Sequence, residues 1–427
     1  MDRDTVHRWV WWVLSAAIVL HYCVLWVVRY SNEWVPGVLV VISTGWLIFN
    51  RFARPFSRQE KWLLAAMFLL PFSTFVRLLF DLSYSPSAFD IQSRFIIVLP
   101  LILLLVRYGF NRHWLIAGMG VAVVIALFYM VFLTLDGQSR PKVNMNQITS
   151  ANLMVYLGFA VVAFSMVHVF EHKGSRWWLV VGGSVLLAAL IAAVLSKSRG
   201  AWLSVPFFVG SSLWLFRQHF KRWQLVAIVL VTVLGGLTVA YLPGSPVLPR
   251  IQEGISDANR YFTTGEVTRS IDTRLNMWET AIEAFKLNPL FGLSEKGLQK
   301  FEREGGVAKY LEKYGHQHSD FFDILAKRGL VGLAFFYGFW AVFFWAFNGY
   351  TSPGYREAGI LLGVGYLVFG LTETTTGNYA AMSLLAVQTA LLFGGGHREW
   401  LLVHKPEVLE RFSMYWPEQE VLVGKGE

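Results

Sequence analysis

Between Tyr314 and Gly332 the chain reads YGHQHSDFFDILAKRGLVG, setting two histidines and two aspartates against the start of an apolar run. Ionisable groups beside a lipid-facing stretch are costly unless they are used. A histidine titrates near pH ~6.5, so a neutral imidazole at His318 can take a proton from a hydroxyl. Asp320 or Asp323 could orient that imidazole or share its work. His316 and His318 also form a His-x-His pair with metal-ligand spacing. The surrounding sequence offers no clear third ligand, and no metal is expected. Serine, histidine and aspartate side by side at 318–320 do not make a hydrolase triad, because triads are set by spatial geometry and not by adjacency.

Two arginine motifs lie upstream. SKSRG, Ser196 to Gly200, is a short turn between apolar runs, which puts Arg199 at the mouth of two helices. Arginine presents a planar fork of donors that matches phosphate oxygens and keeps its charge. The plainer interpretation is that Lys197 and Arg199 snorkel to lipid headgroups. SIDTRLNMW, Ser270 to Trp278, places Arg274 in the first turn of a helix, where a cation opposes the helix dipole and a bound phosphate would reverse the sign. Arg269, five residues earlier, is an alternate candidate, and pairing of Arg274 with Asp272 or Glu279 is the structural alternative. Arg140, Lys142 and Asn144 could touch phosphates but read more simply as solvated loop groups.

These residues must be held by a membrane-embedded scaffold. The chain has 427 residues, 55% hydrophobic and 15% charged, with Trp 18 and Phe 34. Its apolar runs are about 17 to 25 residues, enough to cross roughly 30 Å of hydrocarbon. About twelve spans are expected, near 9–28, 34–50, 62–80, 95–110, 114–135, 151–170, 177–195, 200–216, 223–242, 329–348, 357–375 and 379–395. An even number puts both termini on one side. A cytoplasmic amino terminus places Arg3, Arg8, Arg51, Arg54, Arg58, Lys61, Arg107, Arg112, Lys173, Arg176, Arg217, Lys221 and Arg222 inside, against Arg29, Arg140, Lys142, Lys197 and Arg199 outside. The net charge of +9 is then an inner-loop excess that attracts anionic membrane lipid, with no call for nucleic acid. Cys23 is the single cysteine, which excludes an intrachain disulfide. No cleavable signal peptide is expected at the amino terminus.

The resulting fold class is an all-α integral membrane protein with one large outer loop. Residues 1–242 carry the first nine spans and 243–328 the loop with amphipathic helices and the histidine motif. Residues 329–395 hold the last three spans, and 396–427 a cytoplasmic tail. Within the loop, Asp272 to Leu287 reads as a helix with Met277, Trp278, Ala281, Ile282 and Phe285 on its apolar face.

The SRG turn, the R-x-x-x-W run, PLFGL at Pro289 to Leu293 and HSDFFDILAKRGLVGL at His318 to Leu333 together resemble the O-antigen ligase and polymerase superfamily. That signature is a histidine followed by Asn or Ser, then an apolar helix closing in a Gly-Leu-hydrophobic-Gly step, here Gly329 to Gly332. The resemblance covers most of the chain and rests on the order and spacing of modest motifs. It implies a multi-pass protein of the bacterial inner membrane with a periplasm-facing site. It further implies an undecaprenyl-diphosphate-linked glycan donor and, for a ligase, a lipid A–core acceptor. Matched residue by residue, Arg199 and Arg274 correspond to the diphosphate-binding arginines and His318 to the catalytic base, with His316 as the competing assignment.

Physical chemistry supports that assignment from another side. Cleaving a sugar–diphosphate bond requires stabilisation of the departing charge, which two arginines can supply without a divalent ion. The first outer loop offers only Glu33 as an acidic ligand, so no cofactor is expected and metal-independent, inverting displacement is. Length and a short tail favour a ligase over a polymerase or a protein O-oligosaccharyltransferase. A lipid-linked glycan transporter is the alternative from a different class. It would need ionisable groups near mid-membrane, where His21 is the main candidate, while Arg77, Asp81 and Glu373 fall at outer ends.

Overall fold

The computed structural model describes residues 3–28, 30–49, 58–80, 86–138, 140–141, 143, 145–267, 270–304 and 315–411. Arg29, Arg51, Arg54, Asp81, Lys142, Asn144, Arg269 and the end of the tail from 412 lie outside them, as does the side chain of Arg77. Among the described residues there is no strand. Ten helices come first: α1 (Arg3–Val24), α2 (Ser31–Phe49), α3 (Arg58–Phe80), α4 (Pro86–Ile97), α5 (Leu99–Tyr108), α6 (Arg112–Leu135), α7 (Gln147–Phe170), α8 (Trp177–Leu195), α9 (Arg199–Phe216) and α10 (Arg222–Tyr241). Three follow in the segment expected as the large loop: α11 (Val247–Thr264), α12 (Ser270–Leu287) and α13 (Ser294–Glu304). The chain then continues through α14 (Asp320–Tyr350), α15 (Tyr355–Phe369), α16 (Tyr379–His404) and α17 (Pro406–Arg411).

Every expected span overlaps a helix, but not all have the length and apolarity to cross a bilayer. Seven do: the α4–α5 unit from Phe89 to Tyr108, α6, α7, α8, α10, α14 and α16. The reasons differ among the rest. α15 has 15 residues, a rise of only about 22 Å. α3 opens on Arg58, Glu60 and Lys61, α9 carries Pro206, and the apolar part of α2 runs only from Glu33 to Phe49. α7 and α16 are the most enclosed, whereas α10 has no buried residue and turns its apolar surface outward. His21 is buried edge-on against Tyr22 at 5.3 Å, with no hydrogen-bond partner for either ring nitrogen among the described residues.

The segment expected as a tail from 396 begins inside α16. Arg398 donates to the carbonyls of Val106 and Arg107, and Glu399 pairs with Arg112 and accepts from Ser352 at 2.8 Å. Charges that satisfy buried carbonyls and each other extend the helix beyond the point where apolar patterning stops.

The segment that carries α11 to α13 is fastened to α14 at a break in that helix. Gly329 leaves helical geometry, with φ 61° and ψ −155°, a region essentially reserved for glycine. Pro289 and Leu290 fill the gap, their carbonyls accepting from Leu330 N at 2.9 Å and Val331 N at 3.1 Å. Reciprocally, Leu293 N donates to Ala326 O at 2.8 Å, and Gly292 lies so close that a Cβ there would sit 2.5 Å from Arg328 N. PLFGL and RGLVG are thus two halves of one backbone joint. Gly329→Ala would set a Cβ 2.5 Å from two carbonyl oxygens and is expected to destabilise the protein by about 3 kcal/mol or more. Gly349→Ala, in the same helix but with open space around its Cβ, should be nearly neutral. Thermal unfolding in detergent compares the two, and equal melting temperatures would refute the joint.

Candidate functional site

The histidine loop is built from the backbone outward. Ser319 is extended at the N-cap of α14, and His318 before it takes φ 47°, a left-handed conformation uncommon for a residue with a side chain. Three bonds hold this strained peptide. Trp278 Nε1 on α12 donates to Gln317 O at 3.1 Å, Gln317 N donates to Asp323 Oδ1 at 3.1 Å, and Lys327 Nζ donates to Gly315 O at 2.8 Å. The indole of Trp278 also stacks on Phe322 at 5.0 Å. Tryptophan four residues after Arg274 therefore presents arginine and anchor from one face of α12.

A second fastening faces it. Asp320 N donates to Gly370 O at 2.8 Å, and the buried Asp320 carboxylate accepts from Thr375 Oγ1, from Thr376 N at 2.8 Å and from Thr376 Oγ1 at 2.7 Å. These bonds clamp the turn from Leu371 to Asn378, between α15 and α16, onto the start of α14. The turn carries Glu373, which is buried and whose Oε2 lies 3.5 Å from His318 Nδ1. The His316 ring stands edge-on to that of His318, centroids 4.3 Å apart.

The arginines approach from two other elements. Arg199 opens α9 after a turn in which Lys197 has φ 56°. Its Nη1 donates to Arg250 O at 2.9 Å and rests where a Cβ on Gly254 would fall, so α11 covers it. Gly200 fits the next gap: a Cβ there would sit 2.7 Å from Thr372 Oγ1, the neighbour of Glu373. Arg274 is half-buried on α12 and shares the electrostatic environment of both Glu373 and Arg199. Burial holds its guanidinium below the usual arginine range, Glu373 opposes that, and the Arg199 charge adds to it. Arg199 is likewise lowered by burial first and then by Arg250, with Glu253 and Asp257 in opposition and Arg140 adding further repulsion. Burial also lowers the His316 pKa, reinforced by His318 and resisted by Asp323 and Glu373. Two half-buried guanidiniums thus lie close enough to repel each other, an arrangement that suits an anionic group.

Three of the residues singled out from sequence, Arg274, His316 and His318, gather around Glu373, and Arg199 lies within electrostatic reach of Arg274. Asp320 and Asp323 do not face His318: the first clamps the threonine turn, and the second holds the Gln317 peptide and pairs with Lys327 at 2.8 Å. Arg269 lies outside the described residues. Asp272 and Glu279 turn to α11, pairing with Arg260 at 2.7 Å and bonding to Tyr261, which leaves Arg274 to the site. Arg140 stands near enough to Arg199 to repel it. The sequence assigned Glu373 no part in chemistry. Its signal was the polar run LTETTTGN between two apolar helices, with a single acid in it.

Glu373 also supplies the third ligand that the His-x-His pair lacked: ligand-type atoms of His316, His318 and Glu373 lie within 4.8 Å of one another. The charges around them argue against a dication. Arg274 lies within reach of Glu373 and Lys327 within reach of His316, so a dication there would meet like charge on two sides, opposed by Glu373 and Asp323. A small pocket behind Glu373, lined by Thr149, Asn152, Tyr156, Tyr366 and Thr375, leaves Asn152 Oδ1 buried without a hydrogen-bond partner among the described residues.

Comparison with known proteins agrees with these motifs. The chain is 24% identical over 327 residues to an uncharacterized protein of Haemophilus influenzae, a match covering 75% of this chain and 80% of that one. Residues 184–337 match the O-antigen ligase family, a stretch that includes the SRG turn, α12, the backbone joint and both histidines and stops short of Glu373. Residues 184–337, set among apolar helices, are thus similar to the O-antigen ligase family, which supports a place in the O-antigen ligase/polymerase superfamily.

Proposed function

We propose that the protein is an O-antigen ligase, which moves a glycan from undecaprenyl diphosphate onto lipid A–core at the periplasmic face of the inner membrane. The observation that carries this reading is the approach of half-buried Arg274 and a strained His318 to one buried carboxylate, with half-buried Arg199 within electrostatic reach of Arg274. Arg199 and Arg274 hold the diphosphate. The acceptor hydroxyl gives its proton to His318 while its oxygen bonds to the anomeric carbon. The bond from that carbon to the diphosphate breaks on the opposite face, its electron pair leaving with the phosphate, and configuration inverts.

Nothing in this scheme requires a divalent ion. Purified protein given lipid-linked glycan and lipid A–core in excess EDTA is expected to transfer at the untreated rate. Activity lost to EDTA and restored by one specific ion would refute the metal-free scheme and point back to His316, His318 and Glu373. Growth of long lipid-linked chains in the same assay would make the protein a polymerase. Vesicle uptake of the glycan without transfer would make it a transporter.

A further inference from the structure

We propose that Glu373 is a positioning residue that fixes the tautomer of His318, receiving Nδ1–H and leaving Nε2 as the basic nitrogen. The proposal rests on the glycan-transfer reading above and specifies which atom of the site accepts the proton. Four observations support it. Oε2 of Glu373 lies 3.5 Å from Nδ1, the nearer ring nitrogen, a separation that one closing movement would convert to a hydrogen bond. The carboxylate is buried, and this oxygen accepts no hydrogen bond from another described residue. Its position is enforced from outside the pair, because Asp320 ties the 371–378 turn to the helix that His318 precedes. His318 in turn is held by its left-handed backbone and by the Trp278 contact at Gln317. Two independent fastenings thus aim a base and a carboxylate at each other, which chance proximity of loop residues would not require.

The chemistry gains in two ways. An imidazole whose Nδ1–H points at a carboxylate must present its lone pair at Nε2, so the acceptor hydroxyl meets a base already in the reactive form. When Nε2 takes the proton, the ring becomes a cation beside Arg274 and His316, and Glu373 is the carboxylate that offsets it. The proton stays on the imidazole, and Glu373 acts by orienting the ring. Arg274 also feels the charge of Glu373.

The test needs one readout independent of transfer. Nitrogen-15 spectra of histidine-labelled protein in lipid nanodiscs, at about pH 8 where ordinary imidazoles are neutral, report the tautomer of His318. Its signals are assigned by their loss in His318→Asn. The expected result is Nδ1–H in the wild type and a shift toward Nε2–H in Glu373→Gln. In the transfer assay Glu373→Gln should lower kcat about 10- to 100-fold with donor KM changed less than about threefold, and Glu373→Asp should recover part of the loss. An Nε2–H His318 in the wild type would overturn the proposal whether or not the protein transfers glycan. So would a stoichiometric divalent ion released by Glu373→Gln, or a loss of kcat matched by a fall in melting temperature that Glu373→Asp does not rescue. A wild type with the Nδ1–H tautomer but no transfer to any acceptor would sink the glycosyltransferase reading alone and leave the pairing established.

Discussion

His318→Asn is expected to lower kcat for glycan transfer by about 10³-fold, the scale of a lost general base, with its melting temperature close to that of the wild type. Asparagine is the better probe because it accepts the left-handed backbone that His318 adopts at φ 47°. Alanine removes the same base but adds a conformational cost, so a deficit shared by both variants belongs to the ring. The companion variant is His316→Ala. His316 Nδ1 accepts weakly from His318 N at 3.4 Å, and its ring braces that of His318. Its loss should therefore cost about tenfold or less by loosening the base. Single-turnover measurements with saturating donor separate these outcomes, and the reverse ranking would assign the base to His316.

Arg274→Ala should cost about 10²- to 10³-fold in kcat, the range for removing one donor that stabilises developing negative charge. The loss is expected in kcat more than in KM if the arginine acts chiefly on the departing diphosphate. Arg274→Lys keeps the charge without the fork and should recover only part of the rate. Arg199→Ala is expected in the same range, and the double variant to fall short of the product of the two, because both guanidiniums serve one leaving group. A competing explanation is that Arg274 merely neutralises Glu373. In that case Arg274→Ala combined with Glu373→Gln would restore the activity lost by Arg274→Ala alone, and that rescue would remove the arginine from catalysis.

Much of this was legible in the sequence because polar groups are conspicuous against an apolar background. SKSRG breaks a long hydrophobic run and HSD opens one, while R-x-x-x-W lies on a helix legible from its apolar face. The helix expected from Asp272 to Leu287 is α12, two residues longer at its start. What pattern could not give was partnership across distance. Asp320 and Asp323 look equivalent in sequence, three residues apart beside a histidine. Only the fold shows that one ties down a turn some fifty residues away, while the other secures a peptide. Glu373 was hidden for the same reason, since its companions come from α12 and the loop before α14. The tail escaped because Arg398 and Glu399 look solvent-bound until their partners on α5 and α6 are known.

The joint between Pro289–Leu293 and the break at Gly329 is made of main-chain atoms on both sides. Such a seam is indifferent to most side-chain identities. Leu290, more than half exposed, can vary freely while the two glycines cannot. Exposed side chains on the helices that precede the seam can therefore be replaced without loosening it, whereas Trp278, stacked on Phe322, helps to seat α12. The fold separates a main-chain socket that must stay constant from exposed helix surface that is free to be rewritten.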